Sequence, residues 1–191
     1  NVFHIGGDEV AKGSWRDSPR CHALIKNSGS GLKGVADLKP YFVKRTSALL
    51  EEMGVATAGW EDGLMHDATT PFTRDQLPAL PVIANVWDNI WEWGVADRAY
   101  RLANADYQVV LSHATHLYFD HPQEAVADER GYYWASRFTN NEKVFGYMPD
   151  NFYANADKTR MGEAILDLEK TVGRALPKLE KPENILGMQG Q

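Results

Sequence analysis

The sequence predicts an α/β fold in which parallel β-strands alternate with helices. Short apolar runs bounded by glycine, proline or polar residues recur along the chain, as buried strands do. Between them lie longer stretches with apolar residues at helical spacing, and some of these begin or end on typical capping residues. Alternation of this kind produces a parallel sheet with right-handed crossover connections.

Five strands are predicted. The first covers residues 2–5 and ends at Gly6-Gly7, as a buried strand does where it meets a loop. The other four cover residues 55–60, 81–87, 107–112 and 185–188.

Helices are predicted between these strands. Residues 18–26 form a short helix that is capped by Ser18 and has Pro19 in its first position. A longer helix covers residues 35–53 and is closed by Gly54. A third helix is predicted from about residue 91 to residue 103, a further helix within the range 157–176, and a long loop in the range 115–153.

The candidate functional residues described below fall mostly at or just after the carboxyl ends of strands, where an α/β barrel places its site. A complete eight-stranded barrel needs about 250 residues, whereas this chain has 191. We therefore predict that residues 1–191 are the C-terminal portion of one TIM (β/α)8 barrel, containing about its last five strands and no second domain. A partial barrel exposes two strand edges, so we expect self-association through them.

Composition excludes several classes of partner. The formal net charge is −6, whereas proteins that bind nucleic acids or anionic membranes need a basic surface. The single cysteine, Cys21, cannot form an internal disulfide. Six tryptophans and eight tyrosines suit an aromatic core and also a site that stacks flat apolar faces. We predict no nucleic-acid partner, no membrane partner and no cofactor.

The most informative stretch is Gly6-Gly7-Asp8-Glu9, which follows the first strand. Two glycines allow a sharp turn and the close approach of a ligand. Adjacent side chains in extended backbone point in opposite directions, so the two carboxylates can address different atoms of one substrate. Two carboxylates in one site also separate their protonation states, which leaves one ionised and one as a usable acid. Taken alone, the motif is more typical of a solvated turn with acidic residues near a helix start.

Four further motifs follow strands or lie in the long loop: Gly59-Trp60-Glu61-Asp62-Gly63, Asn85-Val86-Trp87-Asp88, Leu117-Tyr118-Phe119-Asp120 and Tyr132-Tyr133-Trp134. With these motifs in this order and at this spacing, the sequence resembles the family 20 glycoside hydrolases, the β-N-acetylhexosaminidases, and most closely the bacterial chitobiases. The resemblance covers nearly the whole chain, including residues 128–134 and 186–191.

The resemblance implies retaining, substrate-assisted hydrolysis, in which the 2-acetamido oxygen of the sugar attacks C1 and forms an oxazolinium intermediate. By motif position, Glu9 would be the general acid and then the base that activates water. Asp8 would orient the acetamido N–H and stabilise the positive charge that develops there. The substrate would be a terminal β-linked N-acetylglucosamine or N-acetylgalactosamine of a chitin oligomer or glycan.

The resemblance also assigns substrate-binding residues. Trp60, Trp87 and Trp134 are similar to aromatic walls that enclose the N-acetyl group and the sugar face, where indole rings exclude water. Tyr118 is similar to a tyrosine whose hydroxyl meets the acetamido carbonyl, and Asp120 to an aspartate that binds sugar hydroxyls. A surface turn is the alternative for the Tyr118–Asp120 segment.

For other polar residues, the sequence predicts a structural role or no metal-binding role. We expect His4 to be structural inside the barrel, and Arg130 and Arg137 to form ion pairs. No convincing metal site is predicted, because a His-x-x-His pattern in a loop is weak without a carboxylate; the histidines concerned are His113, His116 and His121.

The sequence does not decide the roles of four residues near the acid pair. Glu61 and Asp62 are the next candidates for the catalytic role given to Asp8. Trp91 and Trp93 belong either to the core or to the flank of a leaving-group subsite.

Two parts of the family's site have no counterpart here, namely an arginine on an earlier strand and a Trp-x-Glu motif expected just after Gln191. Because catalysis depends on holding the reacting atoms in place, we expect residues 1–191 alone to be nearly inactive. From the resemblance only, a periplasmic or secreted location is expected.

Three alternatives remain at this point. The first is a carbohydrate-binding fragment that keeps the aromatic walls and performs no chemistry. The second is a half-barrel that is active only after pairing with a partner. The third is an unrelated α/β hydrolase in which the acid pair serves a metal.

Overall fold

A computed structural model describes residues 1–191. The strands are β1 (Val2–His4), β2 (Ala56–Trp60), β3 (Val82–Val86), β4 (Gln108–Leu111) and β5 (Ile185–Met188). They form one parallel sheet in the order β1-β2-β3-β4-β5. The predicted α/β class and the five parallel strands are therefore confirmed.

The helices are α1 (Pro19–Lys26), α2 (Leu38–Glu52), α3 (Arg98–Asn104), α4 (Ala114–Leu117), α5 (Asn141–Phe145) and α6 (Leu168–Val172). Short 3-10 turns cover Val35–Asp37, Glu61–Leu64, Arg74–Gln76, Trp91–Trp93, Phe152–Asn155 and Pro182–Asn184. None of the helices is both long and apolar enough to cross a bilayer.

The first helix begins and ends where the sequence predicts, whereas the second ends as predicted but begins at Leu38, after a 3-10 turn over Val35–Asp37. The Ser18 hydroxyl accepts a hydrogen bond from the Cys21 amide, and Pro19 occupies the first position of α1. After α2, Gly54 adopts a φ of +68°, a conformation that glycine adopts without steric cost. The chain then turns directly into β2.

The predicted helix over residues 91–103 is wrong in its first half. Trp91–Trp93 form a single 3-10 turn, which Gly94 ends at a φ of +71°. The α-helix α3 begins only at Arg98, after Asp97. The Asp97 carboxylate binds Arg101 and Arg174, so this start is tied to the segment that follows α6.

The two other segments between strands differ in part from the predictions. The loop predicted at residues 115–153 contains most of α4 and all of α5, and the Asn140 side chain caps α5 by accepting from the Lys143 amide. The further helix predicted within the range 157–176 is confirmed, and it is the five-residue α6.

The core lies on β3 and β4 and under α3. Its buried side chains include an aromatic group in which the Phe152 ring stacks on Trp91 and meets Tyr100 edge to face. By contrast, β1 was expected to be a buried strand and is exposed, because it is an edge of the sheet in this chain. Val2 and Phe3 are 56% and 57% exposed.

Candidate functional site

The carboxyl ends of β1 to β4 surround one cavity of about 410 Å³. All seven predicted site residues line it, together with Trp93 and Gln191: Asp8, Glu9, Trp60, Trp87, Tyr118, Asp120 and Trp134. The parallel register explains this convergence, since the strand ends lie at the same edge of the sheet.

The acid pair lies on the loop that follows β1. Gly6 and Gly7 have φ angles of +69° and +96°, which turn the chain sharply. Close packing fixes the loop against the next connection, because a Cβ on Gly63 would lie 2.7 Å from the Gly7 carbonyl oxygen. The side chains of Asp8 and Glu9 are exposed at the cavity. They are therefore accessible to a ligand.

Glu9 has an unusual backbone conformation. Its φ is +51°, which residues other than glycine rarely adopt. Its amide donates a hydrogen bond of 2.7 Å to Oδ2 of Asp62. The general-acid candidate is therefore held in place by a residue 53 positions later in the chain.

Asp62 also contacts the aromatic wall. Its Oδ1 accepts a 3.3 Å hydrogen bond from the indole Nε1 of Trp87. Its backbone carbonyl accepts one of 2.8 Å from Nζ of Lys39. One carboxylate thus joins the Glu9 loop to Trp87.

Glu61 is fully buried and does not line the cavity. Its carboxylate accepts hydrogen bonds from the amides of Trp87 and Asp88 and pairs with Arg98 at 3.3 Å. These contacts hold the turn after β3, so Glu61 acts as scaffold and not as the alternative catalytic residue that the sequence left open.

Burial shifts the pKa of two carboxyl groups in this scaffold. It raises the pKa of Glu61 to about 8, although the Arg98 guanidinium acts in the opposite direction. It also raises the pKa of Asp88 to about 6, again against Arg98. Two buried carboxyl groups share one guanidinium, because Asp88 lies 4.0 Å from Arg98.

The three predicted tryptophan walls contact their neighbours in different ways. Trp60 meets the His4 ring edge to face at 5.2 Å. The rings of Trp87 and Trp134 are tilted against each other at 5.9 Å. All three are only half-buried, which leaves apolar ring surface available to a ligand.

The loop after α4 brings Asp120 and Tyr118 to Trp134. The Asp120 Oδ2 accepts a 2.8 Å hydrogen bond from the Trp134 indole, and the Tyr118 ring packs edge to face on Trp134. Burial raises the pKa of Tyr118, and nearby carboxylates such as Glu61 add to the shift. The Tyr118 hydroxyl therefore stays protonated at neutral pH and can donate a hydrogen bond to a ligand.

His121 supports this loop from behind. Its Nε2 accepts from the Ala135 amide, so the proton on Nδ1 faces Oδ1 of Asp120 and the Tyr118 carbonyl. The Tyr118–Asp120 segment is thus a hydrogen-bonded part of the cavity wall rather than a free surface turn.

Two lining residues were not among the predicted site residues. The sequence left Trp91 and Trp93 undecided, and the structure separates them, since Trp91 is buried and Trp93 is 47% exposed in the cavity. Gln191 is held at the cavity by backbone hydrogen bonds with Leu117 and Phe119. Both tryptophans lie on one 3-10 turn, whose two faces helical periodicity could not assign.

The remaining predictions for single residues have mixed outcomes. His4 is exposed on the edge strand, and its Nδ1 accepts from the Gly6 amide. Arg130 and Arg137 form no ion pair in the structure, so that expectation is wrong. Arg137 lies over the rings of Tyr133 and Phe138.

The other two histidines are engaged elsewhere. His113 shares a hydrogen bond of 2.7 Å with the Tyr147 hydroxyl, and His116 one with Thr115. Burial lowers the pKa of both histidines to about 3. No group of three or more metal-ligating side chains is arranged to hold an ion.

A larger cleft of about 800 Å³ lies beside α5. It is lined mainly by polar residues such as Lys143 and Asn155, and none of the predicted site residues reaches it. Because it lacks both the acid pair and the tryptophans, the smaller cavity is the better candidate site.

Comparison with known proteins gives one family. The protein-family model for the catalytic domain of glycosyl hydrolase family 20 matches residues 1–191. A β-hexosaminidase of Vibrio vulnificus is 40% identical over 190 residues, which are 98% of this chain and 21% of that protein. An N,N'-diacetylchitobiase of Vibrio harveyi is 32% identical, with 82% of this chain and 20% of that protein covered.

A solved structure shares the fold. It is a family 20 exo-β-N-acetylglucosaminidase from Vibrio harveyi in complex with N-acetylglucosamine. The TM-score is 0.65 at 22% identity, covering 98% of this chain and 23% of that one. The chain therefore spans about a fifth of the length of the relatives that it matches.

Proposed function

The chain belongs to glycosyl hydrolase family 20, and from this premise we propose that it contributes the catalytic acid pair of an exo-acting β-N-acetylhexosaminidase. The substrate is a chitin oligomer or glycan that ends in a β-linked N-acetylglucosamine or N-acetylgalactosamine. One observation carries the proposal, namely that the acid pair and four tryptophans line a single cavity at the carboxyl ends of the strands.

The proposed reaction uses the two carboxyl groups differently. Glu9 donates its proton to the glycosidic oxygen while the bond from that oxygen to C1 breaks. The acetamido oxygen of the same sugar forms the new bond to C1 and closes an oxazolinium ring. Asp8 accepts a hydrogen bond from the acetamido N–H and stabilises the positive charge of that ring. Glu9 then removes a proton from water, which attacks C1 and opens the ring with retained configuration.

The cavity walls supply binding and orientation. The apolar ring surfaces of Trp60, Trp87 and Trp134 suit the C–H face of a pyranose and the methyl of its acetamido group. The protonated Tyr118 hydroxyl suits the acetamido carbonyl. Asp120 has Oδ2 bound to the Trp134 indole and Oδ1 facing His121. Because the side chain is partly exposed at the cavity, the remaining lone pairs can accept sugar hydroxyls.

Trp93 fits the leaving-group side of this site. It is the most exposed of the four tryptophans in the cavity, and its indole has neither an aromatic neighbour nor a hydrogen bond within the chain. A flat ring at the mouth of a cavity is suited to stacking on the departing sugar.

The first experiment measures hydrolysis of a chromogenic β-N-acetylglucosaminide by the protein as it is encoded, with Glu9→Gln beside it. We expect Glu9→Gln to lower kcat/KM by about 10²–10⁴, the usual contribution of a general acid, while sugar binding survives. Undiminished turnover in the variant would remove Glu9 from the mechanism. Binding without turnover in the unaltered protein would favour the second candidate, a carbohydrate-binding module, which the aromatic walls alone could support.

The same assay on residues 1–191 tests two further expectations. We expect the isolated chain to be nearly inactive. We also expect it to self-associate through the exposed edges β1 and β5, where Phe3 and Met188 are more than half exposed. Activity that rises steeply with protein concentration would show that paired copies complete the site. A periplasmic or secreted location is proposed as well, and cell fractionation tests it.

A further inference from the structure

We infer that Asp62 is a positioning residue that holds the general acid and one aromatic wall in a single fixed geometry. The inference rests on the proposed function, because it concerns the step in which Glu9 protonates the leaving group. Asp62 itself does not line the cavity, so its effect on the reaction passes through Glu9 and Trp87.

The first reason is the conformation of Glu9. A φ of +51° is unfavourable for a residue with a side chain and persists only where its surroundings impose it. The hydrogen bond from the Glu9 amide to Oδ2 of Asp62 is charge-assisted and short, at 2.7 Å. It is the only hydrogen bond within the chain that involves the Glu9 backbone. Loss of this acceptor would release the segment that carries the acid.

The second reason is that Asp62 uses both oxygens on different elements. Oδ2 binds the loop after β1, and Oδ1 binds the indole of Trp87 after β3. Two acceptors on one planar group fix the distance between these elements. An asparagine has the same shape but offers one oxygen and one NH2, so it can satisfy only one of the two donors.

The third reason is that Asp62 is itself held rigidly. It lies in the 3-10 turn Glu61–Leu64, its carbonyl accepts from Lys39, and the next residue, Gly63, packs directly on Gly7. A residue fixed from three sides can transmit its position to the groups that it binds.

The test compares two substrates that share the same sugar and differ in the leaving group. N,N'-diacetylchitobiose needs protonation of its leaving oxygen, whereas 2,4-dinitrophenyl N-acetyl-β-glucosaminide leaves with little help from an acid. For both, kcat/KM reports the step that cleaves the glycosidic bond. Misplacement of the acid should therefore affect the disaccharide more strongly, whereas a general loss of structure should affect both equally.

For Asp62→Asn we expect kcat/KM on the disaccharide to fall by about 10- to 100-fold, since small displacements of catalytic groups have effects of this size. On the dinitrophenyl substrate we expect a fall of less than about 3-fold by the same reasoning. The matched control is Asp67→Asn, an exposed aspartate on the same connection that binds only Thr69 and Thr70. It should leave both rates unchanged. Equal losses on the two substrates, or no loss, would overturn the inference.

A second measurement does not depend on turnover. In NMR spectra, the amide of Glu9 and the indole Nε1–H of Trp87 should both shift and exchange faster in Asp62→Ala, which removes both acceptors, and neither should change in Asp67→Ala. If only one of the two signals responds, Asp62 does not join the two elements and the inference fails.

If the unaltered protein hydrolyses neither substrate, the proposed function fails, and these two signals still decide whether Asp62 holds the loop to the wall. Should Asp62→Asn not fold, Asp62→Glu keeps the charge but displaces both oxygens, and is measured in the same two ways.

Discussion

Two pairs of adjacent acidic residues follow neighbouring strands, and the structure uses them in opposite ways. Asp8 and Glu9 follow β1 and are exposed at the cavity, whereas Glu61 and Asp62 follow β2 and do not line it. The pair after β1 lies on a loop that begins with Gly6 and Gly7, and β1 is an edge strand of the sheet. The pair after β2 lies in a 3-10 turn that follows an interior strand of the sheet.

The difference between the pairs lies in what their oxygens contact. The Glu61 carboxylate accepts from two amides and one guanidinium, so no oxygen remains for a substrate. By contrast, Asp8 and Glu9 are exposed at the cavity, and only the backbone amide of Glu9 forms a hydrogen bond within the chain. Position at a strand end is therefore not sufficient to propose a catalytic role, and availability of the carboxylate favours Asp8 and Glu9 as the proposed pair.

The largest expected effect comes from removing the buried carboxylate. Glu61→Ala leaves Arg98 and two amides without their acceptor, so we expect the free energy of unfolding to fall by about 3–5 kcal/mol. Glu9→Ala is the matched control, and because this side chain is exposed we expect a change within about 0.5 kcal/mol. Urea unfolding of both variants measures the contrast. Similar losses in the two variants would contradict the division into scaffold and site.

A second prediction concerns the protonation of the scaffold. The pKa of Asp88 is raised from 3.8 to about 6 in the folded protein, so the folded state binds this proton more tightly than the unfolded chain does. The stability that it contributes is present below about pH 4 and is lost as the pH rises through 6. Asp88→Asn copies the protonated form and keeps the acceptor for the Ile90 amide.

We therefore expect Asp88→Asn to match the unaltered protein near pH 4 and to be more stable above pH 6, by up to about 3 kcal/mol from about 1.4 kcal/mol per pH unit. Arg98 lowers the pKa of Asp88, whereas Asp62 and Glu9 raise it, so the variant is compared with the unaltered protein at each pH. A difference in stability that is constant from pH 4 to pH 7 would show that Asp88 does not titrate in this range.

Sequence patterns predicted the strands well because each strand is a short apolar run closed by turn residues. The same patterns failed where the outcome depends on distant contacts. Residues 91–103 were predicted as one helix, yet Gly94 ends a single 3-10 turn after Trp93. Asp97 then binds Arg174, which lies far along the chain and therefore outside the local spacing that predicts a helix.

The candidate site shows the same limit. Its residues could be proposed because the motifs that contain them are local in sequence and resemble those of a known family. The distinction between Glu61 and Glu9 could not, since it depends on Arg98 and on the amides of the next turn. The bridge made by Asp62 joins residues 25 and 53 positions away from it. No local pattern contains such a contact.

The smallest expected effect tests the comparison on aromatic residues. Trp91 and Trp93 lie on one 3-10 turn after β3, yet Trp91 stacks in the core on Phe152 and Trp93 faces the cavity. If Trp93 stacks on the leaving sugar, Trp93→Ala should weaken the binding of N,N'-diacetylchitobiose about 5-fold, which corresponds to about 1 kcal/mol. Binding of N-acetylglucosamine, which has no leaving sugar, should stay unchanged, and so should the free energy of unfolding.

Phe145→Ala is the control for loss of an exposed aromatic ring, since Phe145 is 94% exposed and does not line the cavity. Calorimetric titration of both sugars measures the difference, and equal weakening for the two sugars would place Trp93 beside the reacting sugar instead.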